Sequence, residues 1–263
     1  MTPQSIASAF AARRDEGRAA LVPYVTAGFP GRDDTVTVLE ALADSGADVL
    51  ELGIPFSDPL ADGPTIQRSS FRSLAGGTTV ARVLEQLRDF RTRRSTPVVL
   101  FTYLNPVLRY GRDAFFADAL EAGAQGLLLT DLPTGADPEL EAAVPDAGLD
   151  LIRLVAPTTP RARIASVAAG GSGFLYYISR TGVTGARAEL SATLAQEVGV
   201  VKDAVDLPVA VGFGISTPAQ ARAVAACADG VVVGSAVVQA LDDGGPEAAA
   251  GFVASLRQGM DDR

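Results

Sequence analysis

Eight short apolar runs recur along the chain at roughly 25- to 30-residue intervals, separated by longer stretches with helical spacing. They are ALVPYVTA (20–27), ADVLELGI (47–54), PVVLFTYL (97–104), GLLLTDL (126–132), LDLIRLVA (149–156), FLYYIS (174–179), LPVAVGF (207–213) and GVVVGSA (230–236). The intervening segments, such as RDDTVTVLEALADSG and TTVARVLEQLRDFRT, open on Asp, Ser or Thr as helix N-caps and tend to close on Gly. Parallel strands need such helical crossovers, and the crossovers run right-handed. Eight β–α units in 263 residues predict an α/β fold: a closed (β/α)8 barrel, one domain over residues 1–263. The alternative is an open doubly wound sheet, whose first turn carries GxGxxG; here that turn reads TAGFPGRDD. Two helices are extra to the repeat. Ile6, Ala9 and Phe10 mark one before the first strand, and PTIQRSSFRSLAGG (64–77) forms another in the long loop after strand two.

Absences narrow the chemistry. With no histidine, a His-ligated metal and a His general base are both excluded, and no metal is expected. The single lysine, Lys202, lies in a helical stretch, EVGVVKDAVD, away from any strand end, which argues against a Schiff base. A net charge of −9 disfavours a nucleic-acid surface. The longest apolar runs are too short to span a bilayer, and the opening residues lack the order of a secretory signal. One cysteine, Cys227, fits a reducing compartment, so a cytoplasmic location is expected. Catalysis, if any, falls to Asp, Glu, Tyr, Ser, Thr and backbone amides.

In barrels of this type the functional groups sit at the C-terminal ends of strands. Glu51 interrupts the apolar strand Val49-Leu50-Glu51-Leu52-Gly53, where alternation turns 49, 51 and 53 inward and 50 and 52 toward the helices. A carboxyl group there is desolvated and suited to proton transfer near neutral pH; the competing reading is a structural Glu paired with arginine. Asp62 follows in a loop, where Asp-Gly-Pro is also ordinary turn chemistry. Small residues end three adjoining strands: SRTGVTGAR (179–187), GFGIS (212–216) and GSA (234–236). Tight turns explain any one of them; together they favour an anion held by backbone N–H groups, with Gly234 and Ser235 opening a helix. Tyr24, Tyr103, Asn105, Asp131 and Tyr176 stand at other strand ends, and only one of Tyr176 and Tyr177 can face inward.

Seven stretches carry a family resemblance: PYVTAGFP (23–30), ADVLELGIPFSDPLADGPTIQ (47–67), TYLNPVLRYG (102–111), APTTP (156–160), YYISRTGVTG (176–185), GFGIS (212–216) and VVGSAVV (232–238). From about Arg18 to about Leu241 the chain resembles the tryptophan synthase alpha subunits. The resemblance implies retro-aldol cleavage of indole-3-glycerol phosphate to indole and glyceraldehyde 3-phosphate. It implies Glu51 as general acid/base, Asp62 as the carboxylate near the indole nitrogen and Tyr176 as a catalytic-pocket residue. Tyr24, Ile66 and Tyr103 would line the indole pocket, and Thr184 would close over the site. Gly185, Gly214, Gly234 and Ser235 would hold the phosphate. Loop residues Pro55, Phe56 and Pro59 would meet a beta subunit in an αββα assembly. Pyridoxal phosphate would belong to that partner, with no cofactor on this chain.

Other readings are a stand-alone lyase releasing free indole, a prenyl or sugar-phosphate transferase on a similar phosphate barrel, and a barrel kept only to activate a partner.

Overall fold

The computed structural model describes residues 4–179, 192–212 and 214–262. Helix α1 (Ile6–Asp15) leads into β1 (Ala20–Thr26), α2 (Thr35–Asp44), β2 (Leu50–Gly53), α3 (Pro64–Ala75) and α4 (Val80–Arg91). Then come β3 (Val98–Thr102), α5 (Leu104–Tyr110), α6 (Arg112–Glu121), β4 (Gly126–Leu129) and α7 (Pro138–Asp146). The second half holds β5 (Asp150–Leu151), β6 (Arg153–Val155), α8 (Arg161–Ala168), β7 (Leu175–Ile178), α9 (Ala192–Lys202), β8 (Val209–Gly212), α10 (Pro218–Ala225), β9 (Gly230–Val233) and α11 (Ser235–Asp261).

All the pairings are parallel, in the order β5-β4-β3-β2-β1-β9-β8-β7-β6. β5 pairs with β4, and β6 with β7. Only Ile152 separates β5 from β6, so they are two pieces of the fifth barrel strand, and the ring closes through it. The eight-stranded barrel expected from the apolar runs is the observed fold, with both extra helices, α1 and α3, in place.

Alternation sorts the core into two shells. Val22, Val49, Val99, Leu128, Ile152, Phe174, Ala210 and Val232 fill the barrel interior, whereas Leu21, Leu50, Leu52, Leu100 and Val231 pack outward against the helices. Helix α1 closes the N-terminal end of the barrel. Its Phe10 ring stacks on Phe174 at 5.3 Å between centroids. A side chain at Gly126 or Gly230, each the first residue of its strand, would collide with Ile6 or Phe10.

Two segments differ from the sequence reading, and a third adds detail to it. Strand three stops at Thr102, because Tyr103 opens α5, whose Pro106 lies in a first turn where the missing N–H costs nothing. Helix α7 was not among the expected helices. The helix after the last strand is long but broken at Gly244 and Gly245, where the backbone leaves helical geometry.

Candidate active site

Glu51 is where the strand alternation places it: Val49 belongs to the interior shell and Leu50 and Leu52 to the outer one. Its neighbours in register are Tyr24 on β1 and Val99 on β3. The residue is 1% exposed, and its Oε1 has no hydrogen-bond partner. No arginine or lysine among the described residues pairs with it, so the structural ion-pair reading has no partner to rest on. Burial, with no compensating charge, pushes the carboxyl up to about 8.

Asp62 reaches the same mouth from the loop between β2 and α3. Tyr103 donates from Oη to Asp62 Oδ2 at 3.0 Å, and the Ala61 N–H donates back to Tyr103 Oη at 3.0 Å. Gln67, in the first turns of α3, donates to the Asp62 carbonyl at 2.9 Å and to that of Pro59 at 3.3 Å. The Phe56 ring lies 5.2 Å from that of Tyr103. Burial raises Asp62 to about 6, opposed by the Tyr103 hydrogen bond. Near pH 7 the two carboxyls therefore differ, Glu51 mostly protonated and Asp62 mostly ionised. Two acids with pKa values pushed apart can divide acid and anion roles between them.

Tyr24 and Tyr176 complete the mouth. Both phenols are pushed upward, first by burial and then by the nearby Glu51 and Asp62 charges. Tyr176 faces the interior shell, whereas Tyr177 points outward and donates to Glu197 at 2.8 Å, which settles which tyrosine turns inward. Each inward tyrosine lies against a glycine on the neighbouring strand. A Cβ built on Gly53 would sit 2.1 Å from Tyr24 Oη, and one on Gly212 would sit 2.2 Å from Tyr176 Oη. Any larger residue there would drive the ring out of its place. Tyr24 also meets Phe101 edge to face, at 5.2 Å between centroids.

Beside this mouth, Gly234 caps the N-terminus of α11 and Ser235 opens it, exposed. The Gly234 carbonyl accepts from Val237 and Val238, while the N–H groups at the very start of the helix have no intrahelical acceptor. A Cβ on Gly234 would lie 3.5 Å from Ile66 and 3.7 Å from Tyr24, so this turn shares a wall with the aromatic pocket. Gly214 takes a left-handed φ of 75° in the turn after β8. Thr184 and Gly185 lie outside the described residues.

The loop before Asp62 combines buried prolines with one exposed apolar side chain. Pro55 and Pro59 are buried, with the Pro59 carbonyl accepting from Gln67 and from the Asp62 N–H. The apolar side chain this loop presents is Leu60, 89% exposed, beside half-buried Phe56. Gln67 was inside a quoted motif without a role; its only sequence signal is its place in the first turns of the helix that follows Asp62. Asp131 accepts from the Leu104 N–H at 2.7 Å and so fastens the start of α5. Lys202 pairs with Asp229 at 2.7 Å. Among the described residues, no group of three or more His, Cys, Asp or Glu is arranged to hold a metal, and no helix is long and apolar enough to cross a membrane.

Comparison with known proteins places the chain in a family. The family model described as tryptophan synthase alpha chain matches residues 10–260. The tryptophan synthase alpha chain of Citrifermentans bemidjiense is 50% identical over 259 residues, spanning 97% of both chains. That of Burkholderia thailandensis is 50% identical over 261 residues, 97% of this chain and 96% of the other. Among solved structures, Mycobacterium tuberculosis tryptophan synthase superposes with a TM-score of 0.90 at 38% identity, covering 100% of both chains. Tryptophan synthase subunit alpha from Legionella pneumophila gives 0.91 at 39% identity, covering 97% of this chain and 98% of that one.

Proposed function

The chain belongs to the tryptophan synthase alpha chain family, lyases that cleave indole-3-glycerol phosphate, and from that premise we propose how this barrel mouth performs the cleavage. The observation that carries the proposal is the pair of unlike carboxyls, Glu51 buried and unpaired and Asp62 held by Tyr103.

Protonated Glu51 delivers its proton to indole C3, which turns the ring into a cation with its charge centred on nitrogen. The bond from C3 to the glycerol chain then breaks, and its electron pair restores the neutral indole. The hydroxyl on the departing carbon becomes the aldehyde carbonyl, and its proton returns to the Glu51 carboxylate. Ionised Asp62 stabilises the N–H cation while it exists, an electrostatic contribution strengthened by partial burial. Tyr24, Ile66, Tyr103 and Tyr176 enclose the indole ring. Gly185, Gly214, Gly234 and Ser235 supply N–H and hydroxyl donors to the phosphate, as a helix N-terminus is suited to do, and Thr184 closes over the site. The chemistry calls for no lysine and no metal.

The assembly is the finer part of the reading. A beta subunit docks against the loop that exposes Leu60 and Phe56, receives indole and contributes the pyridoxal phosphate, within an αββα tetramer in the cytoplasm. The test is release of indole from indole-3-glycerol phosphate by the purified chain, alone and with a beta subunit. Turnover that rises strongly with the partner is expected. Turnover without any activation would return the stand-alone lyase, and no turnover under either condition would defeat the catalytic reading.

A further inference from the structure

Helix α3 sits on the barrel rim in an unusual way: its buried side chains are three serines, Ser69, Ser70 and Ser73. Ser73 Oγ donates to the Ala27 carbonyl at 2.5 Å. Ser69 Oγ donates to the Ile66 carbonyl at 2.8 Å and lies 2.6 Å from Thr26 Oγ1, which in turn lies 3.3 Å from Tyr24 Oη. Thr26 and Ser69 are each 1% exposed, so water does not replace these contacts.

Proton bookkeeping gives the chain a direction. A serine hydroxyl has one hydrogen, and Ser69 commits it to Ile66. Thr26 must therefore donate to Ser69, and Tyr24 must donate to Thr26. The Tyr24 hydrogen is thus committed to the barrel wall. The hydroxyl end of its ring lies against Gly53, where no side chain intervenes. The same chain runs into the helix that carries Ile66, and Ile66 and Tyr24 together flank the Gly234 turn. We infer that Thr26 and Ser69 are positioning residues that lock Tyr24 and Ile66 into one wall of the substrate pocket.

The inference rests on the proposed lyase reading, in which that wall receives the indole ring. The Tyr24 link is long for an O–H···O bond, so a modest effect is expected. Thr26→Val keeps the shape and removes the hydroxyl. It is expected to raise KM for indole-3-glycerol phosphate roughly three- to tenfold, with kcat within about twofold of wild type. Both limbs of the pH profile stay in place, and Thr26→Ser restores KM. In a Tyr24→Phe background Thr26→Val has a clearly smaller effect, because one of the two links it breaks, that to Tyr24, is already gone and only that to Ser69 is left to lose. An unchanged KM, or a full effect persisting in the Tyr24→Phe background, overturns the inference. Should Thr26→Val not fold, Ser69→Ala carries the same cycle, and a wild-type KM for it is equally fatal. Failure of the lyase reading is distinguishable, since the wild-type protein would then release no indole at all.

Discussion

Glu51 and Arg153 are both ionisable residues on barrel strands, and both are almost wholly buried, at 1% and 4% exposure. Their surroundings are opposite. Arg153 turns outward, between interior residues Ile152 and Leu154, and forms an ion pair with Glu141 of α7. Glu141 in turn accepts from the Gly135 N–H at 2.7 Å, so the pair braces the loop that leads into α7. Glu51 turns inward, where Oε1 has no partner. A buried charge that is paired fastens structure, whereas a buried acid left unpaired keeps its proton near neutral pH and has it available to give away.

The sharpest way to break this contrast is Glu51→Gln, which keeps shape and removes the transferable proton. Indole release is expected to fall about a thousandfold with the fold intact; near-normal turnover would end the acid/base assignment. For Arg153→Met the expected effect falls on stability instead, about 3 kcal/mol lost because Glu141 is left buried and unpaired. Denaturant melts measure it, and kcat per folded molecule should stay near wild type.

A third effect separates the two sites by pH. Because burial raises Glu51 to about 8, the folded protein retains a proton that the unfolded chain releases from about 4.5 upward. Stability from this group is therefore present below about 4.5 and is lost as pH rises through about 8. Glu51→Gln escapes that loss, so its Tm should exceed that of wild type at pH 8.5, and the gap should close toward pH 4.5. In wild type, kcat/KM should fall below about 6 as Asp62 is protonated and above about 8 as Glu51 ionises.

Only one member of this comparison was legible beforehand. A single acid in an apolar strand is visible by alternation, which also fixed its direction, and the eight-fold repeat of apolar runs carried the barrel with it. Arg153 lay in LDLIRLVA with no comparable signal, because its partner sits on a helix that the periodicity did not reveal. The burial of Pro55 and Pro59 was hidden for a related reason. The loop folds back on α3, where Gln67 holds the Pro59 and Asp62 carbonyls, a tertiary arrangement and not a pattern. In the chain from Tyr24 through Thr26 to Ser69, the Thr26–Ser69 link joins residues 43 positions apart and leaves no trace in local spacing.

Helix α1 lends the molecule a further property. With Ile6 and Phe10 filling the base, the barrel is a cup and not a tube. Whatever enters at the rim must leave at the rim, so indole and the sugar phosphate share one doorway with the incoming substrate. A protein seated on that rim would control arrival and departure together, and could take up the apolar product before it met water.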